Sequence, residues 1–351
     1  MHLGTPALLD FCWRHGDDES LVLATIVATE GSTYRKPGAM MLIDRDGGYE
    51  GMISGGCLEG DLLEHAARVF ESGEPAHVTY DMSADDDLVW SLGIGCDGVI
   101  HLLLQRLDGE GRSLFRHMDK AHSLRRPVLL ALVTRELHGL EPGTMALAER
   151  EGDLFGCEVL FPVLASRAAE WPQWRSRTVE QAEGEIMLIH LPAQTRVLIC
   201  GAGPDAVPVA EAFHALGWDV LVADHRPAFA RAERFPGGCT VSCQRQSDLS
   251  SHVDLDELDA AIVMTHHLES DAEYLRQLCG RELAYLGVLG PTARRERLRG
   301  MAGCSGQRLF GPVGLDIGAE LPQSIALSMA AEVHAVLNRR SGGSLTGPGH
   351  E

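Results

Sequence analysis

Two cysteines in glycine-rich settings are the residues of this sequence best suited to chemistry. Cys57 stands in Ser54-Gly55-Gly56-Cys57-Leu58-Glu59, and Cys96 in Gly93-Ile94-Gly95-Cys96-Asp97-Gly98. From Leu58 onward the apolar residues Leu58, Leu62, Ala66 and Val69 recur at helical spacing. Cys57 is therefore expected where a glycine loop enters a helix. Unpaired backbone N–H groups and the positive end of the helix dipole meet at such a point. Both favour an anion, either a bound phosphate or the Cys57 thiolate itself. Gly55 and Gly56 would let a bulky ligand approach the backbone closely. A small buried cysteine in a strand-to-helix turn is the alternative reading. Neither cysteine has a second cysteine or histidine two to four residues away, so the spacing is not that of a zinc site.

An anion needs local cations, and the chain is poor in them. It has 351 residues, with 50 acidic against 30 basic side chains and a formal net charge of −20. That balance argues against nucleic acid or an anionic membrane surface as partner. Arg35 and Lys36 stand together in the Gly- and Pro-containing loop Thr29–Gly38. They are candidates for a phosphate near Cys57, or else two solvated loop cations. No apolar run approaches the roughly 20 residues of a membrane span, and Met1–Asp10 lacks the pattern of a signal peptide. Nine cysteines, an odd number in a long chain, do not read as a disulfide scaffold, and a reducing cytoplasm is expected.

The length suggests about two domains. In the first, a short helix over Thr5–His15 precedes strands at Ser20–Ala28, Ala39–Ile43 and Tyr49–Ile53, with a turn at Asp46-Gly47-Gly48. After the Cys57 helix, Cys96 lies in a second glycine-rich loop that leads into a strand. A faint repeat follows. Pro37-Gly38 with Gly47 and Gly51 is echoed by Pro142-Gly143 with Gly152 and Gly156, at the same intervals. The second copy lacks the Ser-Gly-Gly-Cys-Leu-Glu extension and reads as structural. Pro192-Ala193-Gln194 marks the boundary. Residues 1–192 are expected to form a mixed α/β domain and 193–340 a Rossmann-like domain with a doubly wound parallel sheet. The Gly-rich tail 341–351 is expected to be disordered.

The second domain opens with a strand, then Gly201-Ala202-Gly203-Pro204-Asp205-Ala206, a helix, and a second strand ending at Asp224. This is the dinucleotide fingerprint in its proper context. Asp224 would favour a ribose 2′-hydroxyl, hence NAD over NADP, while Arg226 leaves that choice open. His266 and His267 follow a later strand, where open α/β sheets bind ligands; they would hold a phosphate or a metal, or cap a turn. Arg294, Arg295, Arg297 and Arg299 read as a solvated helix face.

Several motifs together resemble the XdhC/CoxI family of maturation factors for molybdenum hydroxylases. They are Glu30-Gly31-Ser32 with Arg35, Pro37 and Gly38; Ser54 to Glu59; Gly93 to Cys96; Gly201-Ala202-Gly203; Asp224-His225-Arg226-Pro227; Tyr285 to Gly290; and Gly311 to Ala319. Asp97 departs from the Gly or Asn expected after the second cysteine, and a carboxylate there raises the thiol pKa. The resemblance implies a protein that binds molybdenum cofactor transiently and protects it. It also implies help in exchanging an oxo ligand for sulfur from a cysteine desulfurase, and delivery to an apo molybdenum hydroxylase such as xanthine dehydrogenase. It puts the active thiols at Cys57 first and Cys96 second, with Cys57 as a soft molybdenum ligand. Arg35, Ser54, Gly55 and Gly56 would hold the cofactor's anionic end. Gly201, Gly203 and Asp224 would hold NAD(P) or the nucleotide end of a dinucleotide pterin. The partners expected are the client enzyme, the desulfurase and a second copy of the chain in a homodimer.

A chaperone is favoured over a turnover enzyme, because no general base stands beside either thiol in sequence; His65, His266 and His267 are the ones folding would have to bring. The competing reading is an NAD(P)-dependent oxidoreductase using the second domain. No tyrosine–lysine pair four residues apart follows the fingerprint to support it. A protein-binding scaffold is the third.

Overall fold

The computed structural model describes residues 4–16, 20–82, 98–150, 152–167, 176–181 and 184–346. The chain divides into two compact units, Met1–Ala193 and Gln194–Glu351.

The first unit is one design used twice. Its first half runs α1 (Thr5–Arg14), β1 (Leu21–Glu30), β2 (Met40–Ile43), β3 (Tyr49–Gly51), α2 (Glu59–Ser72), β4 (Ala76–Asp81) and β5 (Val99–Leu107). Its second half runs α3 (Gly109–Ser123), β6 (Val128–Arg135), β7 (Met145–Glu149), β8 (Leu154–Gly156), α4 (Phe161–Arg167), β9 (Arg177–Gln181) and β10 (Gly184–Leu191). The sheet orders, β3-β2-β1-β5-β4 and β8-β7-β6-β10-β9, correspond strand for strand. The correspondence reaches single hydrogen bonds. Gly38 donates its N–H to the Ile26 carbonyl at 2.8 Å, and Gly143 donates to the Val133 carbonyl at 2.8 Å.

Side-chain alternation along β1 explains why its residues Leu21–Val27 are all buried. Successive side chains of a strand point to opposite faces, and here both faces are covered. Val22, Ala24 and Ile26 pack with Leu62, Ala66 and Val69 of α2. Leu21 and Leu23 join Leu130 and Leu132 of β6, Met187 and Ile189 of β10, and the apolar faces of α1 and α3. The two sheets thus share one inner core.

In the second unit β11 (Arg196–Cys200), α5 (Ala206–Ala215), β12 (Asp219–Asp224), β13 (Thr240–Cys243), β14 (Ala260–Val263), α6 (Leu268–Leu278), β15 (Tyr285–Val288), α7 (Thr292–Ala302) and α8 (Pro322–Leu337) follow one another. The strands are all parallel in the order β13-β12-β11-β14-β15. Val197 and Ile199 face a core built with α5 and α8, and Leu198 and Cys200 face one built with α6 and α7. This is a doubly wound sheet whose topological switch lies between the C-terminal ends of β11 and β14.

One bond goes beyond the sequence expectations, and one expectation needs correction. A disulfide joins Cys279, just past α6, to Cys304, just past α7, because those two helices pack side by side. The arginines of α7 are not simply a solvated face. Arg294 donates to the buried carboxylate of Asp271 at 2.6 Å, and Arg295 to the Gly311 carbonyl at 2.6 Å.

The twin turn glycines make a stability prediction. A Cβ on Gly156 would lie 2.7 Å from the Met145 carbonyl oxygen at a φ of +90°, whereas one on the helical Gly60 would meet nothing within 4 Å. Gly156→Ala should destabilise the unit by about 1–3 kcal/mol. Gly60→Ala should be neutral or stabilising by up to about 1 kcal/mol. Urea unfolding of both variants checks the contrast.

Candidate functional site

Antiparallel pairing brings the sequence motifs of the first half to one end of its sheet. Glu30, the last residue of β1, lies opposite Val99, the first of β5, and Asp81, the last of β4, lies opposite the same residue. At the start of β2, Met40 pairs with Thr25 and Met41 with Gly51, the end of β3. The segments that leave β1, β3 and β4 therefore all depart from this end. They carry Arg35 and Lys36, then Ser54–Leu58, then the stretch leading to Gly98. Gly98 is packed directly on the first of them, since a Cβ there would lie 2.5 Å from the Ser32 carbonyl oxygen. Cys96 and Asp97 lie outside the described residues.

The loop before α2 is tied by one hydroxyl and one carboxylate. Ser54 Oγ accepts N–H bonds from Gly56, Cys57 and Leu58 at 3.3, 3.1 and 3.1 Å. It donates in turn to Glu59 Oε2 at 2.5 Å, and the Ser54 N–H donates to Glu59 Oε1 at 2.9 Å. Ser54 and Glu59 are both buried, at 6% and 5% exposure, and Cys57 is exposed. The N–H groups expected to cradle an anion are thus already engaged. Ser54, expected to touch a cofactor, instead holds the loop from beneath. What faces outward is the Cys57 thiol, with no hydrogen-bond partner among the described residues, beside Gly55 and Gly56. A Cβ added at either glycine would meet nothing within 4 Å. That leaves open space for a large ligand to reach the sulfur.

Arg35 is half-buried and Lys36 exposed. Neither side chain is ion-paired among the described residues, so both charges are available to an anion. No group of three or more histidine, cysteine or carboxylate side chains is placed to hold a metal ion among the described residues. Among the described residues, Cys57 is the thiol that a soft metal at this end would meet.

Folding also fixes the histidines considered as bases. His65 pairs with Asp61 at 3.4 Å on α2. His266, in the left-handed region at φ 64°, pairs with Asp205 at 2.7 Å across the glycine turn of the second unit. His267 caps α6, its Nδ1 accepting from the Ser270 N–H. The capping role is the one observed for His267.

The Rossmann crevice differs from a ready NAD site. Asp224 is fully buried. Its carboxylate accepts from the Ala202 N–H at 2.7 Å, the Arg226 N–H at 2.9 Å, and Arg226 Nε and Nη2 at 3.0 and 2.7 Å. A carboxylate offers about four acceptor positions, so none is left for a ribose hydroxyl while Arg226 stays. Burial works against its charge, but these donors outweigh that and hold the carboxyl below its ordinary range. Gly201 is needed for packing, because a Cβ there would lie 2.8 Å from the Met264 carbonyl oxygen. At Gly203 a Cβ would meet only the Asp205 carboxylate, so close approach of a phosphate to the backbone remains open there.

Two contributors escaped the sequence reading. Glu59 was visible only as part of a motif, because its five-residue spacing from Ser54 is not that of a capping box, in which the acid stands three residues after the serine. His101 on β5 links Glu30 at 3.4 Å to Thr79 at 3.0 Å. Those are cross-strand neighbours that only the register discloses.

Glu59 yields a pH prediction. Burial raises its pKa, but the hydrogen bonds from Ser54 more than offset this, and the net direction is down from 4.5. The folded pKa is depressed, so the stabilisation is present above the unfolded value and lost as pH falls through the folded one. Glu59→Gln should lower stability at neutral pH by about 1–3 kcal/mol, the usual worth of a bond to a charged group. Melting curves of variant and wild type should converge as the pH is taken below 4.5.

Comparison with known proteins agrees with this architecture. Residues 15–81 match the family described as XdhC and CoxI, and residues 197–333 match the XdhC Rossmann domain. A protein of Bacillus subtilis (strain 168), named as a probable subunit of xanthine dehydrogenase, is 32% identical over 332 residues, covering 90% of this chain and 93% of its own. The molybdenum cofactor insertion chaperone PaoD of Escherichia coli (strain K12) is 25% identical, over 90% of this chain and 83% of its own. A crystal structure from Bacillus halodurans, described as a xanthine dehydrogenase, superposes with a TM-score of 0.82 at 30% identity, covering 99% of both chains. With matches in both units and a relative of this identity along nearly its whole length, the chain belongs to the XdhC and CoxI family.

Proposed function

We propose that this protein is a carrier of molybdenum cofactor that serves the maturation of a xanthine dehydrogenase-type molybdenum hydroxylase. The observation that carries the reading is the exposed Cys57 thiol on a loop pinned from below by Ser54 and Glu59. Arg35 and Lys36 belong to a segment leaving the same end of the sheet. Molybdenum cofactor is a phosphorylated pterin dithiolene. A soft thiolate suits its metal, and unpaired cations suit its phosphate. The family relatives support the same reading: one is named for insertion of this cofactor and another for the enzyme that uses it.

In this role the chain binds, orients and shields its cargo, and Cys57 is the ligand that holds or releases the metal end. A cysteine desulfurase would supply sulfur while the cofactor is held, and the apo-enzyme would then receive it. Such a carrier acts stoichiometrically. The oxidoreductase reading loses support from the engaged Asp224 carboxylate.

The test uses purified protein, free cofactor, a desulfurase with cysteine, and an apo-client. Client activity should rise with the amount of loaded protein and level off near equivalence when no fresh cofactor is added. Cys57→Ala should fold normally, lose molybdenum retention measured by metal analysis, and reduce activation at least about tenfold, which corresponds to about 1.4 kcal/mol. Full activation by that variant, or activation of a large excess of client by trace protein, would refute the carrier role.

A further inference from the structure

The carrier reading gives the metal of molybdenum cofactor to Cys57 and its phosphate to Arg35 and Lys36. The flat pterin is left without a partner. Tyr34 precedes those two cations and is the most exposed aromatic side chain among the described residues, at 63% against 52% for Trp13 and 45% for Tyr49. Trp13 is held through its indole N–H, which donates to Asp119. Tyr34 makes no hydrogen bond, ion pair or ring contact among the described residues.

Strand pairing puts the Tyr34 loop and the Cys57 loop side by side. Met41 of β2 lies opposite Ala24 of β1 on one side and Gly51 of β3 on the other. At the usual strand spacing β1 and β3 therefore run about 10 Å apart. The loop with Tyr34 leaves β1 and returns into β2, and the loop with Cys57 leaves β3 at the same end. Beneath them, Ala39, where the first loop ends, shares one buried cluster with Ile53 and Leu58, which bracket the Cys57 loop.

The backbone that carries Tyr34 is fixed. Thr33 is buried, and its Oγ1 reaches past Tyr34 to donate to the Arg35 carbonyl at 2.9 Å. Gly98 packs on the same segment, where a Cβ would lie 2.5 Å from the Ser32 carbonyl oxygen and 2.7 Å from Thr33 Cγ2. A ring held out on an ordered loop loses little freedom when a ligand settles on it.

The duplication supplies an internal control. The Ala39 N–H donates to the Lys36 carbonyl at 3.2 Å, and in the second half the Thr144 N–H donates to the Glu141 carbonyl at 3.1 Å. Lys36 and Glu141 are thus twins in one kind of turn. Counting back from them, Tyr34 and Arg35 correspond to Gly139 and Leu140. The twin turn closes with a glycine, a leucine and a carboxylate, so folding requires neither the ring nor the cations. They occur in the half that also has the Ser-Gly-Gly-Cys loop.

We propose that Tyr34 is a stacking platform for the pterin of the carried cofactor. The phenol face packs against the flat heterocycle in an offset stack, while the adjacent cations meet the phosphate and Cys57 meets the metal. The assignment rests on the carrier reading and deepens it, because it adds recognition of the organic ring to that of the metal and the charge. Loss of a base stacked on an aromatic side chain weakens binding roughly five- to 150-fold, equivalent to about 1–3 kcal/mol.

The test measures retention of free molybdenum cofactor by the full-length protein, with metal analysis and with the pterin counted after oxidation to its fluorescent form. Tyr34→Ala and Tyr34→Leu should each weaken retention at least about fivefold, and Tyr34→Phe should stay within about twofold of wild type. All three should keep the wild-type melting temperature, since the side chain is exposed and unpartnered. The metal-free pterin dithiolene is the second probe. Tyr34→Ala should weaken its binding, and Cys57→Ala should not. Wild-type retention in Tyr34→Ala or Tyr34→Leu overturns the assignment, as does a loss in Tyr34→Phe equal to that in Tyr34→Ala. Normal retention in Tyr34→Ala with failed client activation overturns it too, and makes Tyr34 a contact for the client protein. In each of these cases wild type still retains cofactor and the carrier reading stands. A wild-type protein that retains none defeats the carrier reading, and this assignment with it.

Discussion

An antiparallel ladder returns the chain to the end it left, and that constraint organises the candidate site. Because β1 pairs antiparallel with both β2 and β5, three segments separated in sequence leave one end of one sheet. No long-range recognition between the loops is needed to gather them. The ladder is held by side chains buried on both faces of β1, so the placement of the loops rests on the inner core shared by the two sheets. A change in register by one residue would exchange those faces and scatter the loops.

At the tip of this arrangement, polar chemistry takes over from packing. Ser54 and Glu59 form a closed set of hydrogen bonds in which every member has a partner. A buried carboxylate is tolerable because its donors are in place. The outcome is a rigid base beneath a thiol that is itself exposed. That arrangement suits a group that must be presented to a bulky, soft cargo and then released. An anion hole made from the same N–H groups would have competed with the serine for them.

The two glycine-rich turns of the chain illustrate how far a motif reaches. The fingerprint at Gly201 builds a parallel sheet in the order β13-β12-β11-β14-β15, as the alternation of strands and helices requires. Its acidic residue, however, ties the glycine turn to Arg226 instead of standing open to a ligand. A fold does not by itself fix its ligand contacts, and here the acidic residue makes an internal salt bridge with Arg226. The duplicated unit shows the reverse. Its two halves share topology and glycine positions, yet the Ser-Gly-Gly-Cys loop before the helix occurs in the first alone.

The sequence by itself determined the local structure and much of the architecture. Helical spacing after Leu58 marked α2, β-branched runs marked the strands, the repeated Pro-Gly and glycine intervals marked the duplication, and the fingerprint marked the Rossmann unit. These were legible because they depend on residues near one another in the chain. Tertiary structure alone decided which polar groups are free. The N–H groups at Cys57 looked available until Ser54 Oγ proved to lie beneath them. Asp224 looked like a ribose ligand until the Ala202 N–H and the Arg226 side chain filled its oxygens. The physical reason is the same throughout. A hydrogen-bonding group has few positions to fill, and its partner is chosen by distance in space. A sequence pattern reports the group, whereas only the folded chain reports whether something else has already reached it.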